Sequence, residues 1–144
     1  MTSLNPQNIR EAFVDWLNDY DWDWYVTLTF RNDIGEYYAR ENFQRFHKEI
    51  RHRNGYRPEF VRVTEYQQRG VPHYHSLMLN VGGLRRMDMV DWCYNQFGIS
   101  RIFPYDRDRG ASYYLGKYIL KGNGDIQLSR GLRKYSKSYQ LSLL

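Results

Sequence analysis

Phe60-Val61-Arg62-Val63-Thr64-Glu65-Tyr66, Gln67-Gln68-Arg69-Gly70-Val71-Pro72, His73-Tyr74-His75-Ser76-Leu77-Met78-Leu79: these twenty residues decide the fold. The outer runs are rich in β-branched and aromatic residues and read as strands, Phe60–Tyr66 and His73–Val81. The polar stretch between them, with Gly70 and Pro72, turns the chain back into a hairpin. Successive side chains on a strand face opposite ways, so His73 and His75 project from one side with Leu77 and Leu79, and Tyr74 from the other. Glu65 shares its strand face with Val61 and Val63. Pairing the two runs sets its carboxylate beside the imidazoles. Two histidines and one carboxylate leave open positions on a divalent ion, as catalysis requires. A His-x-His pair alone is a weak signal; the neighbouring segments give it weight.

Working outward, Pro6 to Asp19 reads as a helix capped by Asn5, with Ile9, Phe13, Trp16 and Leu17 on its apolar face. Trp24–Phe30 is a strand. Glu36 to Arg53 carries Tyr38, Phe43, Phe46 and Ile50 at helical spacing. Asp88 to Phe97 is a further amphipathic helix, with Met89, Trp92, Cys93 and Phe97 inward and Gly98 ending it. Ser100–Tyr105 is a short strand and Ala111–Leu120 a last helix. The order αβαββαβα predicts an α+β domain over 1–124: an antiparallel sheet with helices packed on both faces, ferredoxin-like or RRM-like. Residues 125–144 read as a basic C-terminal tail.

The chain of 144 residues suits one domain with a proper core. Its single Cys93 excludes an internal disulfide framework. No apolar run reaches membrane-spanning length and no signal-peptide core opens the sequence, so a cytoplasmic protein without a membrane partner is expected. The net charge of +5 is unevenly spread: residues 1–36 hold two Lys/Arg against seven Asp/Glu, and the remainder nineteen against nine. Arg130, Arg133, Lys134 and Lys137 fall in a closing stretch without an acid. Basic charge interleaved with 14 tyrosines and 4 tryptophans suits single-stranded nucleic acid, whose phosphates attract cations and whose bases stack on aromatic faces.

The last helix contains Tyr113-Tyr114-Leu115-Gly116-Lys117-Tyr118-Ile119-Leu120-Lys121. Tyr114 and Tyr118 stand one turn apart, as do Lys117 and Lys121, so a Tyr-x-x-Lys unit occurs twice on adjacent stripes. A phenol of pKa about 10 is a poor nucleophile near neutral pH. A nearby ammonium or a metal-polarised phosphate offsets that handicap, which is a physical reason for tyrosine, lysine and a metal to share a site. Tyrosines at this spacing are also common in packed cores.

Three segments together resemble the HUH endonucleases, specifically the rolling-circle replication initiators. Thr27-Leu28-Thr29-Phe30 resembles their first motif. Glu65 with His73-Tyr74-His75 resembles the metal motif, and Tyr114 to Lys121 the tyrosine motif in the two-tyrosine form of small single-stranded DNA phages. The resemblance implies an HUH endonuclease fold with the tyrosine helix laid across the metal-bearing face. It also implies Mg²⁺ or Mn²⁺ on Glu65, His73 and His75, with Tyr114 and Tyr118 as nucleophiles, Tyr114 leading. Lys117 and Lys121 would steady phosphate charge, and Thr27, Thr29, Arg130, Arg133, Lys134 and Lys137 would contact DNA. The implied activity is sequence-specific nicking and joining of single-stranded DNA at a replication origin through a 5′-phosphotyrosine, in concert with host replication machinery. A single-strand transposase or relaxase uses the same chemistry. A non-catalytic RRM-like binder is the rival from another class, although the RRM's aromatic signature is absent. No Gly-x-x-x-x-Gly-Lys-Ser/Thr occurs, so no attached helicase is expected.

Overall fold

The computed structural model describes residues 5–67, 70–121 and 125–132. These form α1 (Pro6–Leu17), β1 (Trp24–Phe30), α2 (Glu36–Asn54), β2 (Glu59–Tyr66), β3 (Pro72–Leu79), α3 (Arg86–Gln96), β4 (Gly98–Pro104), α4 (Gly110–Lys121) and β5 (Asp125–Leu128). The hairpin is present: β2 and β3 pair antiparallel, with Glu65 opposite His73 and Val63 opposite His75. Its turn closes where Gly70 N–H donates to the Gln67 carbonyl at 2.7 Å, and Gly70 sits at φ 75°, which suits a residue without a Cβ. Every neighbouring pair in the sheet order β4-β1-β3-β2-β5 is antiparallel. From β1 to β4 the chain follows the β-α-β-β-α-β path of a ferredoxin-like unit, and the α+β class expected from the sequence is the one found.

Strand alternation divides the core. One face of the sheet turns Trp24, Val26, Leu28, Tyr74 and Met78 toward Phe43, Phe46 and Ile50 of α2 and Met89 and Cys93 of α3. The other turns Val61, Val63 and Leu77 toward Ala111, Leu115 and Ile119 of α4, with Val14, Trp16 and Leu17 of α1 behind them. Fully burying an aliphatic or aromatic side chain contributes about 1.5–3 kcal/mol, so both layers are held chiefly by apolar burial. α1 begins as its sequence dictates, with Asn5 Oδ1 accepting from Asn8 N–H at 2.8 Å and Pro6 in the first turn. At its other end Asn18 has a second task. Its Oδ1 accepts from Ala111 N–H at 2.7 Å, tying the start of α4 to the end of α1.

The structure departs from the sequence expectations in three places. Residues 125–128 are not tail but an edge strand pairing with Val61–Thr64 of β2, and Leu132 beyond it is buried. Alternate residues Ile126 and Leu128 pack inward, a period-two signal too short to stand out in a basic segment. Ile9 and Tyr38 are exposed, and Val14 and Ala39 hold buried positions instead. Gly98 does not end α3 in a left-handed conformation. It opens β4, where a Cβ would overlap the Thr29 carbonyl oxygen, so the absence of a side chain serves close strand approach. Arg133, Lys134 and Lys137 lie outside the described residues.

Candidate active site

The site assembles on the face covered by α4, from three adjacent strands. Antiparallel register sets Thr29 opposite His73 and Thr27 opposite His75 across β1 and β3, and Glu65 opposite His73 across β2 and β3. Ligand atoms of Glu65, His73 and His75 all lie within 4.8 Å of one another. His75 Nε2 stands 3.1 Å from Glu65 Oε1, and the two imidazoles stack with centroids 4.8 Å apart.

Burial pulls both histidines below their ordinary pKa of 6.5, outweighing the opposing influence of Glu65. Near neutral pH both rings are therefore uncharged, the form that ligates a metal. Ligand bonds to Mg²⁺, Mn²⁺ or Zn²⁺ run about 2.0–2.2 Å, so a triad this close needs only side-chain adjustment to converge on one ion. The donor set of two neutral imidazoles and one carboxylate fits a divalent metal.

Polar side chains flank both imidazoles. His73 Nε2 meets Thr29 Oγ1 at 3.2 Å, and Gln67 Nε2 donates to His73 Nδ1 at 2.9 Å. His75 Nδ1 meets the Tyr25 hydroxyl at 2.8 Å and Thr27 Oγ1 at 3.4 Å. Burial raises the Tyr25 pKa, so its hydroxyl remains a phenol able to fix the imidazole tautomer. Thr27 and Thr29, expected as DNA contacts, thus touch the two histidines of the triad. Neither Tyr25 nor Gln67 is expected from the sequence as a partner of the histidines. The signal for Tyr25 was present, since it shares a strand face with Thr27 and Thr29, but only the β1–β3 register shows that this face meets the histidines.

The tyrosine helix lies over the triad and treats its two phenols differently. The Tyr118 ring stacks on His75, centroid to centroid 4.3 Å, and Lys117 Nζ lies 4.8 Å from the centre of that ring. Burial, reinforced by the negative charge of Glu65, pushes the Tyr118 phenol up to about 12. Tyr114 is turned away: its hydroxyl accepts from Asp106 N–H at 2.9 Å while its ring packs on Tyr25 and Tyr105. Of the two phenols, Tyr118 is thus the one stacked on the triad, and Tyr114 the one bonded to the backbone. Lys121 sits exposed at the end of α4, and Arg130 is exposed beyond β5. Beside the tyrosines opens a cleft of about 460 Å³ lined by Tyr25, Tyr113, Tyr114 and Tyr118 with Arg109 and Lys117.

Among the described residues, no helix is long and apolar enough to cross a membrane. Comparison with curated proteins and with solved structures returns no match. The family model of the replication-associated proteins of the ORF2 type matches residues 23–123. That span runs from the edge of β1 through the end of α4 and takes in every strand and helix that builds the triad and its tyrosine cover. The chain therefore belongs to the ORF2-type family of replication-associated proteins.

Proposed function

We propose that this protein is a metal-dependent, sequence-specific nickase and ligase of single-stranded DNA that initiates rolling-circle replication. The observation that carries the reading is the stacking of Tyr118 on the buried His75, which sets a phenol directly against the His-His-Glu triad. Glu65, His73 and His75 would hold Mg²⁺ or Mn²⁺. When bound, the ion supplies Lewis-acid polarisation of the scissile phosphate and neutralises the Glu65 charge that opposes ionisation of Tyr118.

The residues of the chain do the rest. Tyr118 Oη attacks phosphorus; the new O–P bond forms as the bond to the 3′-oxygen breaks, leaving a 5′-phosphotyrosine and a free 3′-hydroxyl. The phenol gives up its proton and the leaving oxygen gains one. Lys117, beside the Tyr118 ring, stabilises developing phenolate charge. The ester energy is kept in the phosphotyrosine, so rejoining needs no nucleotide cofactor. Tyr114 becomes the second nucleophile once its hydroxyl leaves Asp106 N–H, which allows a second cleavage while the first end is still attached. The tyrosine-lined cleft suits the bases flanking the scissile phosphate, because every base offers a π-face.

The test is incubation of a labelled random-sequence pool of single-stranded oligonucleotides with the protein and Mn²⁺, followed by denaturing electrophoresis. A protein–DNA adduct that EDTA abolishes is expected. Retardation on native gels without any adduct would leave a binding protein and overturn the nickase.

A further inference from the structure

On the opposite face of the sheet, away from the triad, α2, β2 and β5 enclose a groove of about 490 Å³. Its wall on α2 is the stripe Arg40, Gln44, His47 and Arg51, spaced to fall along one helical side next to the buried row Ala39, Phe43, Phe46 and Ile50. Arg57 and Arg130 stand at its margins and Arg62 forms the floor. Among the described residues no acidic side chain lines it. Asp125 acts electrostatically on Arg62, and Glu59 acts on His47 and accepts a hydrogen bond from Ser129.

Arg62 is the informative member. It is only 6% exposed, its guanidinium lies 4.7 Å from the Phe43 ring centre and 4.4 Å from that of Tyr74, and its Nε has no hydrogen-bond partner. Among the described residues no carboxylate comes within ion-pair distance of it. A buried cation without a counter-ion is costly, and aromatic faces recover only part of the lost hydration. Arginine presents a planar fork of donors matched to phosphate oxygens. A buried, underpartnered guanidinium at the floor of a groove walled by further arginines is built to receive an anion.

We propose that this groove is a second nucleic-acid contact, which holds the phosphodiester backbone of DNA on the face of the sheet opposite the tyrosine helix. A polymeric anion is favoured over a single phosphate because the cations are spread in a line: eleven residues of helix separate Arg40 from Arg51, about 16 Å at 1.5 Å per residue. That exceeds one phosphate and matches several successive ones. The contact carries no base information and anchors the strand wherever its sequence permits cleavage. The proposal rests on the reading above only in taking DNA as the polyanion.

The experiment measures fluorescence anisotropy of labelled dT40 between 50 and 300 mM salt for three proteins: wild type, the groove variant Arg40→Gln/Arg51→Gln/Arg57→Gln, and a control of equal charge loss, Arg45→Gln/Arg53→Gln/Arg85→Gln. All six positions are exposed, and melting curves verify that each variant folds. The groove variant should lose roughly tenfold in affinity, and its log–log salt slope should fall by about two, as three lost phosphate contacts on a single strand imply. The control should lose less than twofold. Equal losses in both variants, or no loss in the groove variant, overturn the proposal, as does failure of the wild type to bind dT40. The nickase is judged separately by its covalent adduct: adduct formation with an indifferent groove variant sinks the groove alone, and a selective groove effect without adduct sinks the nickase alone.

Discussion

Tyr25→Phe is the sharpest probe of the proposed metal site, because it removes one oxygen and nothing else. The ring that packs on Tyr114 stays, while the hydroxyl 2.8 Å from His75 Nδ1 is lost. One hydrogen bond of this kind is worth a net ~1 kcal/mol, and loss of a partner behind a metal-ligating histidine typically weakens affinity by about 10–100-fold. Thr27 Oγ1, 3.4 Å from the same nitrogen, can take over part of the role, which places the expected loss near the lower end, about tenfold. Thr27→Val alone should change little. Combined with Tyr25→Phe it should weaken binding by more than the product of the single effects, since the two oxygens substitute for one another. Isothermal titration with Mn²⁺ at pH 7.5 reads these numbers directly, with His75→Ala as the reference for complete loss. Unchanged Mn²⁺ affinity in Tyr25→Phe would refute the reasoning. So would a loss as complete as that of His75→Ala, which would mean that the ring geometry had collapsed.

Tyr118→Phe should suppress first adduct formation and Tyr114→Phe should leave most of it, with the double variant forming none; peptide mass spectrometry of the trapped adduct locates the modified residue, and modification at Tyr114 would reverse the assigned order. The Tyr118 phenolate, read as the 295 nm absorbance difference between wild type and Tyr118→Phe, should emerge only as pH approaches about 12, and Mn²⁺ should move it lower. Burial holds His47, His73 and His75 below 6.5, so the unfolded chain binds protons first as pH falls. Stability is therefore complete above pH 6.5 and declines below it, and the urea midpoint should be lower at pH 5.0 than at pH 7.5, less so in His47→Gln. Gly98→Ala should destabilise by roughly 1–3 kcal/mol or more, through overlap of the new methyl with the Thr29 carbonyl, as equilibrium denaturation would show.

Much of the molecule was legible in local patterns. β1 was read to its observed limits, the other seven elements up to α4 to within a few residues, and the grouping of Glu65, His73 and His75 followed from strand alternation and one hairpin. These features depend on neighbours close in sequence, where periodicity and turn chemistry act directly. β5 escaped because four residues of an edge strand carry little pattern, and because its pairing with β2 spans some sixty residues of chain.

The sequence by itself determined which chemistry is available: two imidazoles and a carboxylate on facing strands, and two phenols with their lysines one turn apart on a helix. Tertiary structure alone decided which of these groups meet. The β1–β3 register put Tyr25 and Thr27 behind His75, and the Asn18 bond to Ala111 fixed where α4 begins. The position of α4 over the sheet laid Tyr118 on His75 and left Tyr114 bonded to Asp106. Helical spacing gives two equivalent tyrosines. Only the surface on which the helix packs makes them different, because the strands beneath come from distant parts of the chain and no local rule relates them.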